Sequence, residues 1–448
     1  MKKSEFKANS FVIGLVSLLL LFGSGSQAMT LKESIEGALK NNPAILASQK
    51  KLQAAEAKVG QATGAFMPTI KLDGNYGNSY SQPSVTQVSF PPGFGPGGVQ
   101  TFTFGTSEVA GVKGYTLSLS QPLFVASLFP ARGIAIGGAE IARNDLNKVI
   151  LDTSFNVTQA YYGVLKAEKM VQLSEESMKM AKSHLDQVRA LVSAGVATQA
   201  DRLRAEVQLA NSEVTSTRAR NALELARDAF NNSLGRDLEE KVKLEEEGFS
   251  GSPPTIPEYK ELLKLAFDNR PDWKQYSLAQ QVSEENLKLA RSAYLPSFLL
   301  TGQAGKRNTE YSAYNADANS WTVSGVASWT LFDGLTMQNR VKEAAANLES
   351  QRAAEKQVRD GIALEVRDAY LTLKGAQETI GSARKAVDSA EENYKVSEVR
   401  YQSGVGTNLE VLDAQVARTQ SKINHLQTLF DLEIAKAKIN KVVAKEVF

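Results

Sequence analysis

The chain contains no cysteine and only two histidines, which excludes several kinds of chemistry at once. Without cysteine there is no disulfide, no thiolate metal site, no cysteine nucleophile and no lipid-modified N-terminal cysteine. His184 and His425 lie on polar stretches of predicted helix, and we interpret both as surface residues. Motifs of nucleotide-binding proteins, serine hydrolases and zinc proteases are missing at strand–helix junctions. The sequence therefore predicts a protein that is not an enzyme and that needs no cofactor or metal.

Excess charge and long apolar runs are also missing. Lysine and arginine number 51 against 49 aspartates and glutamates, so nucleic acid is not expected as the main partner. Beyond the leader, no stretch approaches the roughly 18 consecutive apolar residues that predict a membrane-spanning helix. The remaining choices are a protein that is soluble outside the cytoplasm and a membrane β-barrel, whose strands need only about 9–11 alternating residues.

The first 28 residues have the composition of a secretory leader. Its features are Lys2, Lys3 and Lys7, an apolar run at 11–22, and a small-x-small cleavage site formed by Ser26, Gln27 and Ala28. The apolar run is too short to cross a bilayer as a helix, which takes about 20 residues. We predict that residues 1–28 are a cleaved signal peptide and that the mature chain begins at Met29.

An internal repeat organises the chain after the leader. The stretch 31–74 matches 259–302 at an offset of 228. Nearer the C-terminal end of each copy the offset is 209, and Gly195 corresponds to Gly404. One supersecondary unit is therefore used twice.

The first copy is the longer one because it carries a proline- and glycine-rich run at 91–98. This composition predicts a long exposed loop. We predict a first repeat at 29–235, a linker at 236–258 that belongs to an equatorial region, and a second repeat at 259–448.

Each copy is predicted to contain a helix, a strand, a loop, a strand, a very long helix, a turn and a long helix. In the very long helices, apolar or small residues recur at alternating spacings of four and three, which is typical of coiled-coil packing. These seam positions are Ala160, Val164, Ala167, Val171, Ser174, Met178, Ala181, Leu185, Val188 and Val192 in the first copy and Ala369, Leu373, Ala376, Ile380, Ala383, Val387, Ala390, Tyr394, Ser397 and Tyr401 in the second. As one helix, residues 334–401 would be roughly 100 Å long, which predicts a rod or a tube.

The strands are predicted where apolar and polar residues alternate, at 69–80, 115–124 and 321–332. This alternation fits a membrane barrel with a wet interior, and it fits a half-buried soluble sheet equally well. Four strands per chain cannot close a barrel, which needs about eight or more, and lipid does not tolerate open strand edges. Three chains would supply enough strands to close the barrel and enough helices to form the tube.

Together with the repeat, the stretches 331–334 and 401–415 resemble the TolC family of outer-membrane efflux proteins, and the resemblance extends from residue 31 to about residue 443. The first stretch is Leu331, Phe332, Asp333 and Gly334. Here the strand breaks into the long helix, Asp333 is a good N-cap and Gly334 permits the bend. The second stretch is 401–415, a tyrosine, glycine, threonine and acid-x-x-acid pattern whose first-copy partner is 193–201.

The resemblance implies a mostly α-helical chain with a membrane β-barrel and an internal two-fold repeat. Three chains would share a 12-stranded barrel in the outer membrane, on a coiled-coil tunnel that crosses the periplasm. The implied partners of this homotrimer are a periplasmic adaptor protein, an inner-membrane pump or ABC exporter, and outer-membrane lipid. The chain would be a passive exit conduit for small toxic compounds.

The resemblance also places the hairpin tips at the inner end of the tunnel, where adaptors dock. The tip residues are Gly195, Val196, Ala197 and Thr198 in the first copy and Gly404, Val405, Gly406 and Thr407 in the second. Both glycines are expected to end a long helix in the left-handed conformation. Each threonine is expected to cap the next helix, with Asp201 or Glu410 as the third member of a capping box. Aspartate is shorter than glutamate, so we expect the first box to be the weaker one.

The resemblance implies an entrance gate built from Tyr401, Glu410, Asp413 and Asp201. Glu410 and Asp413 share a helix face, and three copies would form acidic rings that favour cations. Tyr401 corresponds to a tyrosine that helps to hold the entrance shut. Solvated helix faces and a seam position explain these residues as well. The sequence departs from the family at Gly406, where the best-known member carries an arginine, so we expect a looser or different closure.

Two other functions fit the same sequence. An outlet for one-step, type I protein secretion would use the same fold with a different cargo. A trimeric coiled-coil adhesin or stalk would also show a signal peptide, heptads and a shared barrel, but it would not predict a duplicated unit with matching tips.

Overall fold

The computed structural model describes residues 28–82, 84–90, 98–104, 108–246, 255–311 and 314–448. Residues 1–27 of the predicted leader and residues 91–97 of the proline- and glycine-rich run lie outside these ranges. In chain order the elements are α1 (Leu31–Asn41), α2 (Pro43–Gly64), β1 (Thr69–Ser81), β2 (Ser84–Phe90), β3 (Gly98–Phe104), β4 (Glu108–Phe124), α3 (Leu128–Ser193), α4 (Gln199–Leu234), α5 (Tyr259–Asn269), α6 (Pro271–Ser292), β5 (Ser297–Glu310), β6 (Asn315–Ser328), α7 (Thr336–Gln402) and α8 (Asn408–Val443).

The two halves of the chain repeat one succession of elements. Helices α1 and α5 each have 11 residues, α2 and α6 have 22, and α4 and α8 have 36. Each half opens with two helices, where the sequence analysis predicts one. The break falls at Asn42 and Arg270, whose extended backbone is the conformation that a following proline imposes.

The long helices form two hairpins, α3 with α4 and α7 with α8. Helix α3 has 66 residues and α7 has 67, so each is about 100 Å long. Every predicted seam position is buried or half-buried. Small side chains at many of these positions let the helix backbones approach closely, as a wall of helices requires.

Two apolar clusters lie where the short helices pack against the long hairpins. One joins α1, α3 and α4 around Val157, Tyr161 and Phe230, and the other joins α5, α7 and α8 around Val366 and Ile439. The segment after α4 packs here too. Its backbone pairs with that of Met29, and the Tyr161 hydroxyl donates to the carbonyl of Glu245 at 2.6 Å.

Four strands form one antiparallel sheet in the order β1-β4-β5-β6, which leaves β1 and β6 at its edges. The predicted long loop of the first copy is wrong in part, because β2 and β3 form a separate antiparallel hairpin within it. Valine, threonine and phenylalanine on both sides of the proline- and glycine-rich run favour these strands. The last strand ends at Ser328, four residues before the predicted end at residue 332.

Candidate functional site

The two hairpin tips have the same turn. Gly195 has a φ of 75° and Gly404 a φ of 76°, the left-handed conformation that glycine adopts most readily. The next residue closes the turn in both cases, since Val196 N donates to the carbonyl of Leu191 and Val405 N to that of Arg400. The prediction that these glycines end the long helices is confirmed.

The caps that follow the turns differ, and the expected order of strength is wrong. In the first copy, Asp201 N donates to Thr198 Oγ1 at 3.2 Å and Thr198 N donates back to the Asp201 carboxylate at 3.1 Å, which completes a capping box. In the second copy Thr407 accepts from Glu410 N at 3.2 Å, but the Glu410 side chain does not return the bond. The hydrogen bonds from Thr198 lower the pKa of Asp201.

The Glu410 carboxylate lies near another charged group and does not complete its capping box. It lies 3.8 Å from the guanidinium of Arg400, at the end of α7. Both side chains are about half exposed, so this ion pair contributes little to stability. The longer glutamate can reach Arg400, whereas the short aspartate of the first copy stays over its own helix start.

Gly406 packs tightly against the end of α7. A Cβ atom there would lie 2.9 Å from Tyr401 N and 3.0 Å from the carbonyl carbon of Arg400. A side chain at this position therefore meets backbone, which fits the absence of the family arginine. Arg400, which pairs with Glu410, is a cation close to this turn.

Asp413 is exposed on the first turns of α8. Among the described residues it has no ion pair. It lies in a groove between α4 and α8 whose other lining includes Leu203, Val207, Leu409 and Val416, all of them exposed. The role of Asp413, Glu410 and Asp201 in an acidic pore entrance stays a prediction.

Tyr401 is half-buried in an apolar cluster with Leu185, Val188 and Ala205. Its hydroxyl is buried and has no hydrogen-bond partner within the described part of the chain. Burial, together with the nearby Asp201 carboxylate, raises the pKa of this hydroxyl. The ring thus occupies a seam position, and its hydroxyl is enclosed within the tips of the subunit.

His184 is not a surface residue, and this interpretation of the sequence is wrong. The side chain is 5% exposed, and Nε2 lies 2.7 Å from Asn408 Oδ1. The amide of Asn408 in turn donates to the carbonyl of Asp201 at 3.1 Å. The Tyr401 ring lies against the imidazole, with ring centroids 5.5 Å apart. The contact therefore joins all four long helices at the tips.

An ion network lies further from the tips. Arg418 of α8 reaches Glu176 of α3 at 2.8 Å and Glu391 of α7 at 3.4 Å, and Lys422 adds contacts to both carboxylates. Burial opposes the ionisation of Glu176, but Arg418 and Lys422 outweigh it and lower its pKa. This network was not predicted from the sequence, because α3 lies far along the chain from α7 and α8.

The strand–helix break differs from its prediction in one respect. Gly334 has a φ of 71°, as a bend requires, but the residue at the N-cap of α7 is Leu335 and not Asp333. The Asp333 carboxylate nevertheless accepts from Met337 N at 2.8 Å. It satisfies one of the free backbone donors of the first turn from two residues before the cap.

In the middle rows of the four-stranded sheet, apolar residues share one face and polar residues share the other. Paired residues project from the same face of an antiparallel sheet. One apolar row consists of Leu72, Leu117, Ala304 and Trp321, and the next of Ile70, Leu119, Gly302 and Val323. The row between them on the other face consists of Lys71, Ser118, Gln303 and Thr322.

In the central strand β4 the apolar side chains are the exposed ones. In β4, Tyr115, Leu117 and Leu119 are exposed, while the intervening Thr116, Ser118 and Ser120 are half-buried. A half-buried soluble sheet would show the reverse order. Within the described residues no helix is long and apolar enough to cross a membrane.

Comparison with known proteins identifies one family. The sequence model of the outer membrane efflux protein family matches residues 34–236 and 262–444. The chain is 23% identical to the outer membrane protein TolC of Escherichia coli (strain K12) over 441 residues, which cover 94% of this chain and 82% of that protein. It is 23% identical to the alkaline protease secretion protein AprF of Pseudomonas aeruginosa over 434 residues, 96% of this chain and 85% of that one.

The fold has relatives among solved structures. The outer membrane channel CmeC of Campylobacter jejuni superposes with a TM-score of 0.76 at 17% identity, over 92% of this chain and 85% of that one. At this identity the likeness establishes a shared fold.

Proposed function

Because this chain belongs to the outer membrane efflux protein family, we propose that it is a trimeric outer-membrane channel and periplasmic duct. In this role it is a passive conduit, through which an inner-membrane pump exports small toxic compounds with the help of a periplasmic adaptor. No residue of the chain performs chemistry on the cargo. The chain provides a membrane-spanning pore, a tunnel and an entrance.

One observation carries the membrane assignment: in the central strand β4 the apolar side chains are exposed and the polar ones between them are half-buried. Exposed Leu117 beside half-buried Ser118 in β4 is the arrangement of a sheet with lipid outside and water inside. The outer membrane is the compartment proposed for this sheet, after export by the predicted signal peptide.

The edges of the sheet support a trimer. Strands β1 and β6 each have a free edge in the subunit, and lipid does not tolerate unpaired backbone donors and acceptors. Pairing of β1 with β6 of the next subunit satisfies both edges, and three subunits close twelve strands under one rotation axis. The same axis brings three pairs of helical hairpins into a tunnel.

The tips supply the entrance and the docking sites. Val196 and Val405 are exposed at equivalent positions of the two tips, as suits contact with an adaptor protein. Exposed Leu203 and Val207 of α4, with Leu409 of α8, suit contact with the neighbouring subunit. Around the axis, three copies of Glu410 and Asp413 form acidic rings, and Tyr401 helps to hold the entrance closed.

The cargo separates two versions of this function. The relative from Pseudomonas aeruginosa is a protease secretion protein, so export of polypeptides by a type I system is the second candidate. A third candidate is an adhesin or stalk, which would also be a trimer but would have no conducting pore. Deletion of the gene distinguishes efflux of small compounds from type I export. Loss of drug tolerance indicates efflux, and loss of a secreted polypeptide indicates type I export.

Single-channel conductance of the purified trimer in a planar bilayer tests the proposal. We expect a small, cation-selective current that grows in the Tyr401→Phe plus Asp413→Ala variant. We expect a matched variant at an exposed aspartate of α3, Asp186→Ala, to keep the wild-type current. An absence of current from every protein, despite correct trimer assembly, would contradict the proposal of a conduit and favour the stalk.

A further inference from the structure

The buried contact between His184 and Asn408 suggests how the entrance is regulated. This inference rests on the proposed function, since it concerns the entrance of the proposed duct. His184 lies in α3 and Asn408 is the first residue of α8, so the contact joins the first hairpin to the second. Both side chains are nearly inaccessible, at 5% and 3% exposure. Separation of the two tips would expose both.

Asn408 determines which nitrogen of His184 carries the proton. Its Nδ2 donates to the carbonyl of Asp201, which can only accept. The other amide atom, Oδ1, therefore faces the imidazole as an acceptor. Neutral His184 must donate from Nε2, which leaves Nδ1 as the nitrogen that takes up a proton when the pH falls.

The surroundings of His184 set the direction of its response to pH. Burial lowers the pKa of the imidazole, and the bond to Asn408 and the negative charge of Glu398 on α7 offset this only in part. The other titratable groups nearby are Tyr401 of α7, which packs on the ring, and Asp201 of α4, which contributes its carbonyl to Asn408. The closed tips thus favour neutral His184, and hydration of the side chain favours the charged form.

We propose that the His184–Asn408 hydrogen bond is a proton-sensitive tie, which holds the two hairpin tips of one subunit together and releases as the pH falls.

The sign follows from linkage. A histidine whose pKa is lower in the closed state than in water binds more protons when it is exposed, so acid favours the separated tips. The tie is complete above the ordinary histidine value of about 6.5 and weakens below it. Ordinary carboxylic acids titrate at about pH 4, so the range from pH 7.5 to 5.5 isolates the histidine.

The absence of cysteine permits a direct measurement of the distance between the tips. Spin labels on Val196→Cys and Val405→Cys in the full-length trimer report this distance by pulsed electron resonance. We expect a longer and broader distribution at pH 5.5 than at pH 7.5 with the native histidine. His184→Gln keeps a donor for Asn408 but does not titrate, and we expect the same short distance at both pH values. Asn408→Ala removes the acceptor, and we expect separated tips at both.

His425→Gln is the matched control, because it removes the only other histidine of the chain and should leave the pH response unchanged. A response that survives in His184→Gln, or that disappears in His425→Gln, overturns the proposal. Nitrogen NMR of histidine-labelled trimer gives a second check that needs no tip variant. We expect the Nε2–H tautomer of His184 and a midpoint below 6.5, and the Nδ1–H tautomer would also overturn the proposal.

Conductance separates this proposal from the proposed function. We expect a current that rises several-fold between pH 7.5 and 5.5 in wild type and in His425→Gln, and that stays low in His184→Gln. If the distance responds to pH but no protein conducts, the tie stands and the conduit fails. If the trimer conducts and neither its current nor the tip distance depends on His184, the conduit stands and the tie fails.

Discussion

Asn42 and Arg270 occupy the same position in the two halves of the chain and make the same contact. Each precedes the proline that starts a 22-residue helix. Asn42 Nδ2 donates to the carbonyl of Ser233 at 2.9 Å, and Arg270 Nη1 donates to that of Val442 at 3.2 Å. Ser233 and Val442 are equivalent residues in the last turn of α4 and of α8. The repeat thus preserves a tie between the short helices and the ends of the hairpins, although the side chains differ.

We expect Arg270→Ala to be more destabilising than Asn42→Ala. Arg270 is nearly buried and also pairs with Asp272 and Glu365, each at 2.6 Å. Its loss leaves the half-buried Asp272 carboxylate unpaired, at a cost of about 3 kcal/mol. Asn42→Ala loses the bond to Ser233 and the cap on Ala44 N, at a combined cost of about 2 kcal/mol. Urea unfolding followed by far-ultraviolet circular dichroism measures both, and equal midpoints would contradict this prediction.

The same ion pair predicts a response to acid. Burial opposes the ionisation of Asp272, but Arg270 outweighs it and lowers its pKa. The stabilisation is therefore present above the ordinary aspartate value of about 3.9, and it is lost as the pH falls through the lowered pKa. We expect Asp272→Asn to flatten the loss of stability below about pH 4, as measured by thermal unfolding across pH. Asp268→Asn, on the adjacent helix, is the control that should leave the acid limb unchanged.

The helix caps at the two tips should respond unequally to the same substitution. Thr198→Ala removes a complete capping box, and Thr407→Ala removes a single bond. We expect a loss of about 1–2 kcal/mol of local stability at the start of α4 and about half of that at α8. Hydrogen exchange of the first-turn amides reads each site separately. A larger increase in exchange at α8 would show that the Glu410 box forms in solution.

Arginine substitutions on the two faces of β4 test which face meets lipid. Leu117 and Ser118 are neighbours in this central strand and point to opposite faces. We expect Leu117→Arg to cost about 2–4 kcal/mol in a bilayer and to reduce the yield of assembled trimer. Ser118→Arg would face the wet interior and assemble normally, with a change in conductance. Gel mobility of unheated outer-membrane samples measures assembly. A lower trimer yield for Ser118→Arg than for Leu117→Arg would show that the Ser118 face meets lipid.

The two tip acids should contribute unequally to ion selectivity. Glu410 lies near the Arg400 guanidinium, whereas Asp413 has no ion pair among the described residues. We expect Asp413→Asn to reduce the cation preference of the trimer more than Glu410→Gln does. Reversal potentials in a salt gradient measure this preference. Similar potentials for Asp413→Asn and wild type would place that carboxylate away from the pore.

Parts of the site were predictable because they depend on neighbouring residues alone. The left-handed turns at Gly195 and Gly404 follow from the absence of a side chain, and the seam of the long helices follows from a spacing of four and three. The duplicated unit is visible in the sequence for the same reason. These features depend on the backbone preferences of a few neighbouring residues, so the sequence pattern is enough to predict them.

Several predictions from the sequence were wrong because they concern contacts that form only in the folded chain. His184 lies on a polar stretch and becomes buried only because Asn408, 224 residues later, meets it. Glu410 fits a capping box by its length, but the tertiary structure places Arg400 within its reach. Alternation in β4 is equally compatible with either face outward, and only the assembled sheet leaves Leu117 exposed and Ser118 half-buried. The sequence by itself determined the repeated elements and their turns, since these depend on local backbone preference. The tertiary structure decided burial, hydrogen-bond partners and the outward face, because each depends on what the rest of the chain brings alongside.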